Sequence, residues 1–282
     1  MDKETEIRAE QQVLWNGTMG QTWVETQPFI DQMLRPFEDV LIRKMASKSV
    51  TSVLDIGCGN GAVSKRFAVH FEADAQVTGI DLSQPMVSNA LSLHSSSSPN
   101  LKFVQGDASI FDFAAQRFDC FVSRFGVMFF ASPHRAFSHL RTFAAKDAEL
   151  AFVVWRSVEE NEFMSAGAFA VAPLLDEPVG PPKAGPGPFA LADPQLGEDL
   201  LSQAGWHDPL FEKCDVACEF NATELPMFIE RLAPLGVALE QLDPKTRDEA
   251  VRAALSAYER FRHGDSVRCT ARAWLVSARS PA

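Results

Sequence analysis

Positive charge is scarce in this sequence: 26 Lys and Arg stand against 37 Asp and Glu, for a net charge of −11. That balance argues against a general nucleic-acid binder, which needs clustered Lys and Arg to neutralise phosphates. Long apolar runs are missing too. None approaches the roughly 18 residues needed to span a bilayer. The acidic, polar opening Met1-Asp2-Lys3-Glu4-Thr5-Glu6 is unlike a signal peptide, so a cytoplasmic protein is expected. Cysteine is sparse, and five in a chain of 282 residues fits reduced thiols in a cytosol. Cys214 and Cys218 lie four apart, but no second pair or histidine pair completes a zinc set, so no metal is expected. Tyrosine occurs once against 22 Phe, which makes the aromatic surface mostly apolar. No internal repeat is seen.

What is present suffices for a substantial core. The chain is 46% hydrophobic and 22% charged, and its length suits one large domain or one domain with an insert. The organising stretch is Val53-Leu54-Asp55-Ile56-Gly57-Cys58-Gly59-Asn60-Gly61. Residues 50–56 read as a buried parallel strand, and 62–71 as a helix with Val63, Phe67 and Phe71 on one face. A glycine turn between strand and helix lets a ligand approach the backbone, where the helix N-terminus offers free N–H groups.

The pattern then repeats. Residues 75–81 read as a strand ending in Asp81, and Ser83 opens a helix to about residue 93. An acid at that strand end is placed to accept from both ribose hydroxyls of a nucleoside on the glycine turn. Residues 101–105 form a third strand before Gly106-Asp107-Ala108, where Asp107 can accept from an adenine amine. Residues 118–123 and 149–155 are the fourth and fifth strands, with a helix from Ser132-Pro133 to Phe143 between them. Alternating strands and helices predict a doubly wound, Rossmann-like α/β sheet with ligands at its carboxyl edge.

Around this core lie helical additions. Residues 5–47 read as helices broken at Gly17 and Gly20 and divided at Pro28 and Pro36. Trp15 and Trp23 flank the glycine break, either as helix residues packed on the core or as the cover of a lid over a bound cofactor. The stretch 156–192 contains Pro178 to Pro188, rich in proline and glycine, and reads as a pocket wall. A helix from Asp193-Pro194 to Gly205 and a strand from Pro209 to Phe220 follow. Residues 223–264 read as helical, with Phe228, Leu235, Val237 and Leu239 among the apolar positions. The strand 267–278 closes the sheet as an antiparallel partner. The expected divisions are a lid (1–47), a cofactor core (48–155), an insert (156–192) and a C-terminal part (193–282) with a helical cap at about 221–264.

Two cofactor classes compete for the glycine turn. Gly57-x-Gly59-x-x-Ala62 formally satisfies the dinucleotide fingerprint. Asp55, however, would disfavour a pyrophosphate and could support a cationic amino-acid moiety. The third glycine falls at Gly61, and the chain closes with a strand pair instead of a second nucleotide-binding half.

Taken together, Leu54–Gly61, Gly79-Ile80-Asp81-Leu82-Ser83, Gly106-Asp107-Ala108 and Phe118-Asp119 resemble the successive motifs of class I S-adenosylmethionine-dependent methyltransferases. The segments Ser123–Phe130, Phe152–Arg156 and Gly187-Pro188-Phe189-Ala190 are similar to a bacterial small-molecule branch near the ubiquinone and menaquinone biosynthesis enzymes. The resemblance implies a seven-stranded, mostly parallel sheet with an antiparallel last strand, and S-adenosylmethionine as cofactor. It implies that Asp55, Gly57, Cys58, Gly59 and Gly61 hold the methionine portion, and that Asp81 binds the ribose. Leu82 would pack on the adenine, Gly106, Asp107 and Ala108 would meet its edge, Ser123 and Arg124 would lie beside the sulfonium, and Met128 would flank the adenosyl group.

A sulfonium methyl is already electrophilic, so alignment of the acceptor carries most of the catalysis. His134, at a helix start near the active face, is the candidate base, and Arg124 a second candidate catalytic group. His139 reads as a helix-face residue, and His207 and His263 as surface. Phe125, Trp155, Arg156, Phe163, Phe169, Phe189 and Phe228 are the expected acceptor wall, suited to a flat or apolar small molecule. The chain lacks an Asn/Asp-Pro-Pro-Tyr/Phe run after the fourth strand and a paired-glutamate loop, which favours a small metabolite over DNA or protein. The expected enzyme is a monomer or homodimer methylating a quinol, phenol, amine, carboxylate or thiol. A catalytically silent cofactor-binding regulator and an NAD(P)-dependent oxidoreductase are the alternatives.

Overall fold

The computed structural model describes residues 2–46, 48–71, 75–94, 98–175, 185–232, 235–236, 239 and 242–281. Its strands are β1 (Ser52–Ile56), β2 (Gln76–Asp81), β3 (Leu101–Gln105), β4 (Phe118–Arg124), β5 (Ala144–Trp155), β6 (His207–Asn221), β7 (Arg262–His263) and β8 (Ser266–Arg279). They make one sheet in the order β3-β2-β1-β4-β5-β8-β6, and the short β7 pairs with β8. Strands β1 to β5 pair in parallel, whereas β8 is antiparallel to both β5 and β6. This is the Rossmann-like sheet with an antiparallel last strand that the motif order predicts.

The central strand owes its place to its side chains. Val53, Leu54 and Ile56 are buried on both faces of the sheet, which only a doubly covered strand allows. Its start is pinned by the Asp119 carboxylate, which accepts from the backbone N–H groups of Thr51 and Ser52 at 2.9 and 3.1 Å. The strand order reverses between β1 and β4, and in such sheets the crevice at the carboxyl ends is where ligands bind.

The helices are α1 (Lys3–Asn16), α2 (Thr18–Glu25), α3 (Gln27–Met45), α4 (Ala62–Phe71), α5 (Gln84–His94), α6 (Pro133–Arg141), α7 (Glu162–Val171), α8 (Pro194–Gln203) and α9 (Pro244–Tyr258). Aspartates start three of them. Asp2, Asp193 and Asp243 each accept from backbone N–H groups of the first turn, with proline next in line at α8 and α9. Helix α3 buries Phe29, Ile30, Leu34, Phe37, Leu41 and Met45, a stripe at three- and four-residue steps. Each such side chain contributes about 1.5–3 kcal/mol on burial.

Three expectations change. Pro36 does not divide its helix, because α3 runs unbroken from Gln27 to Met45 with Pro36 inside it. Gly20 lies within α2 instead of breaking it. It is there for close approach, since a Cβ would meet the Trp15 carbonyl at 2.0 Å and the Ser83 hydroxyl at 2.6 Å. The helical run expected over 223–264 is broken into short turns at Leu225–Met227 and Phe228–Leu232, then α9, then β7. Val237 and most of the Pro178–Pro188 stretch lie outside the described residues.

The last two long strands outgrow the parallel sheet. Strand β5 ends with Trp155 opposite Ala273, yet β6 and β8 continue to pair as far as Asn221 and Ser266. The extra length projects beyond the carboxyl edge as a two-stranded ribbon. An aromatic cluster of Phe163, Phe220, Phe228 and Tyr258 ties this ribbon to α7, to the turn at 228–232 and to α9.

Candidate cofactor and acceptor site

The carboxyl edge holds a cavity of about 630 Å³ with two unlike ends. One end is the glycine turn and the acids of β2 and β3. The other is aromatic.

At the first end, Gly57 has φ +68° and a Cβ there would stand 2.7 Å from Gly126 Cα, so backbone meets backbone where β1 and β4 end. Ser123, fully buried in β4, donates its hydroxyl to the Ile56 carbonyl at 2.7 Å and accepts from Gly126 N at 3.1 Å. It braces this junction from behind. Gly59 lines the cavity, whereas Cys58 and Gly61 are buried outside the described wall, the latter against Phe103.

Asp81 organises the turn. One carboxylate oxygen accepts from Gly59 N and the other from Ser83 N, both at 2.8 Å. Burial pushes its carboxyl up against these hydrogen bonds, which hold it down. Each ionised oxygen keeps further acceptor capacity, and the side chain lines the cavity, a donor set that suits a vicinal diol. Leu82, Gly106, Asp107 and Ala108 continue the wall. Asp107 accepts from Ser109 N at 2.9 Å and lies 3.3 Å from Arg8 Nε.

Asp55 sits one residue before Ile56, beneath the turn, and is 1% exposed. Its Oδ2 accepts from Ser64 Oγ at 2.5 Å, while its Oδ1 is buried with no hydrogen-bond partner among the described residues. Burial pushes its carboxyl up to about 7. An orphaned buried carboxylate oxygen below a glycine turn fits a cationic ammonium group better than a pyrophosphate.

Helices α1 and α2 cover this end. Trp15 and Trp23 both line the cavity and meet edge to face at 6.0 Å, and Trp15 packs the same way on Phe129 at 5.0 Å. Met128 is buried in the wall, and its carbonyl accepts from Gly187 N at 3.1 Å. That bond brings the segment of Phe189 to the end of β4.

The aromatic end gathers Phe125, Trp155, Phe163, Phe189 and Phe228. Phe125 stacks on Trp155 at 4.1 Å and holds a left-handed φ of +64°, a backbone strain kept by its surroundings. Arg124 lines the cavity with its charge already answered, by Glu38 Oε1 at 2.5 Å and Asp31 at 3.4 Å.

Three residues expected at the acceptor end stand elsewhere. Arg156 is 5% exposed, pairs with Glu160 and Asp215, and lies over the Trp274 ring, so its guanidinium is consumed outside the cavity. His134 is exposed at the start of α6 and is not among the residues that line the cavity. Phe169 is 71% exposed on the outer face of α7. His139 uses its ring on the Phe111 carbonyl at 2.9 Å. Conversely, Arg8, Met33, Asn161, Cys218, Cys269 and Thr270 line the cavity without having been expected there. The signal for the last three was the length of the two closing strands.

Among the described residues no group of three or more His, Cys, Asp or Glu is placed to hold a metal ion. No helix among them is long and apolar enough to cross a membrane.

Residues 53–147 match the family model described as a methyltransferase domain. A malonyl-[acyl-carrier protein] O-methyltransferase from Pseudescherichia vulneris is 30% identical over 126 residues, which are 45% of this chain and 47% of that protein. The chain thus spans about half the length of the curated relative it matches. The fold resembles the YcgJ protein of Bacillus subtilis, with TM-score 0.57 and 17% identity over 88% of this chain and 99% of that one. It also resembles a Haemonchus contortus phosphoethanolamine N-methyltransferase in complex with S-adenosyl-L-methionine, with TM-score 0.53 and 18% identity over 88% of this chain and 53% of that one. Residues 53–147, from β1 into β5, are therefore similar to a methyltransferase domain, and the likeness to solved structures is one of fold.

Proposed function

We propose that this protein transfers a methyl group from S-adenosylmethionine to a small-molecule acceptor. The observation that carries the reading is one continuous cavity with the Gly57 turn and Asp81 at one end and Trp155, Phe163 and Phe228 at the other. Asp81 would bind the ribose hydroxyls, Asp107 and Ala108 the adenine edge, and Asp55 the ammonium of the methionine portion. Leu82 would face the adenine ring, and Met128 the adenosyl group. A sulfonium methyl supplied by this cofactor needs little activation, so the chain's own contribution is alignment and dryness. Trp15 and Trp23, carried on α1 and α2, act as a lid that excludes water. Phe125, Trp155, Phe163, Phe189 and Phe228 hold the acceptor in line with the methyl group. Arg124, paired with Glu38 and Asp31, fixes α3 to the end of β4. The divisions at 1–47, 48–155, 156–192 and 193–282 follow this division of labour.

Five free thiols and the acidic balance suit a cytoplasmic enzyme without a nucleic-acid partner. Calorimetry with S-adenosylhomocysteine and with NAD tests the cofactor. Binding of NAD and not of the former overturns the reading. Labelled S-adenosylmethionine with a panel of quinols, phenols, amines, thiols and carboxylates, malonyl thioesters included because of the relative's substrate, tests the transfer. Tight cofactor binding with no transfer to any class of acceptor would instead mark a non-catalytic binding protein.

A further inference from the structure

Cys218 and Cys269 face each other directly in the register of β6 and β8. Opposed residues on antiparallel strands have Cα atoms about 4.5–5.5 Å apart. That separation lies inside the range of about 4.4–6.8 Å that a disulfide requires. The register places both side chains on one face of the ribbon, where each thiol influences the ionisation of the other.

Both line the acceptor end of the cavity. Cys269 also borders a second pocket of about 410 Å³ on the outer side, shared with Arg260 and Arg268. Those two side chains are 55% and 57% exposed, and Cys269 itself is half-buried. Cys58, Cys120, Cys214 and Cys218 are buried, and burial contributes to pushing each thiol up. Cys269 is shifted the other way, because hydrogen bonding from Cys218 favours its thiolate.

We propose that Cys218 and Cys269 are a redox-active dithiol, a modification site in the wall of the acceptor cavity that a hydroperoxide closes to an intramolecular disulfide. The Cys269 thiolate attacks one peroxide oxygen, the O–O bond breaks, and the departing hydroxide takes up the proton that Cys269 released, giving water and a sulfenic acid. The Cys218 sulfur then attacks the sulfenic sulfur. The S–S bond forms, the S–O bond breaks, and the hydroxyl leaves as a second water with the Cys218 proton. Two thiols are oxidised and one peroxide is reduced. The closed pair brings the sulfurs to about 2.05 Å and removes both S–H donors from the cavity wall. The acceptor end therefore has two chemical states.

The test uses the full chain, reduced, freed of reductant and treated with limiting hydrogen peroxide. Intact mass should fall by two hydrogens, and a non-reduced digest should yield the peptide pair joined through Cys218 and Cys269 before Cys58, Cys120 or Cys214 reacts. In Cys218→Ser, Cys269 should stop at a sulfenic acid that dimedone traps. Oxidation that begins at another cysteine, a sulfenic acid at Cys269 that persists beside a free Cys218 thiol, or no mass loss overturns the proposal. The readout is mass, so its failure leaves the methyl-transfer reading untouched.

Discussion

Arg8 Nε stands 3.3 Å from Asp107 Oδ2, which joins the first helix of the chain to the carboxyl end of β3. The contact is one link of a longer series, because Glu4 pairs with both Arg8 and Arg135, each at 2.8 Å. Three elements, α1, α6 and the β3 end, are thereby tied across the cofactor end of the cavity. Replacing Arg8 with Ala should leave the fold stable to within about 1 kcal/mol, since partly exposed pairs contribute little. Release of S-adenosylhomocysteine should quicken by up to about tenfold, for the same energy. Stopped-flow tryptophan fluorescence reads it through Trp15 and Trp23, and an unchanged release rate would uncouple α1 from the lid.

Asp81→Ala should weaken S-adenosylhomocysteine binding by at least about 1–2 kcal/mol, because ribose hydroxyls would be left unpaired in a closed site. The variant also loses the acceptor for Gly59 N and Ser83 N, so the turn itself loosens. Asp81→Asn, which keeps an acceptor oxygen, should recover part of the loss. Calorimetry with both variants checks this, and equal affinity in wild type and Asp81→Ala would move the ribose contact elsewhere.

The buried Asp55 gives stability a pH dependence. Its carboxyl is pushed up to about 7 in the fold from 3.8, chiefly by burial. Between those values the folded chain holds a proton that the unfolded chain has lost. The stability linked to this group is therefore fully present below about pH 4 and is lost as pH rises to about 7, at roughly 1.4 kcal/mol per unit. Asn cannot titrate, so the difference between wild type and Asp55→Asn in urea unfolding should fall across that window and level off above it. A difference that stays flat from pH 4 to 8 would refute the assignment.

Gly57→Ala should cost about 1–3 kcal/mol of stability, since the residue holds φ +68° and its Cβ would press on Gly126 Cα at 2.7 Å. The same clash parts the ends of β1 and β4, so S-adenosylhomocysteine binding should be lost as well. Urea unfolding and calorimetry on one sample separate the two effects. A variant that is as stable as wild type would show that the turn can shift.

Much of this architecture was legible beforehand because its causes are local. A run such as Val53-Leu54-Asp55-Ile56 ahead of glycines states its strand, its burial and its turn within nine residues. Asp81 and Asp107 follow from the same logic, each an acid at a strand end. Trp155, Phe163, Phe189 and Phe228 were expected around the acceptor and do line one cavity. The prolines misled where context overrode propensity. Pro36 stays inside α3 because the buried stripe from Phe29 to Met45 outweighs one missing backbone hydrogen bond.

By itself, then, the sequence determined the sheet, the glycine turn and the acids that follow its strands, since hydrophobic period and glycine turns act over a few residues. Only the tertiary structure decided which side chains are spent on each other. Arg156 and His134 were plausible from their neighbours, but the guanidinium is taken up by Glu160 and Asp215, and the imidazole faces outward at the start of α6. Arg8 meets Asp107, and Cys218 meets Cys269, across 99 and 51 positions of chain that no local pattern connects. Such contacts depend on where helices close and how far two strands outgrow their sheet, and packing of the whole chain sets both.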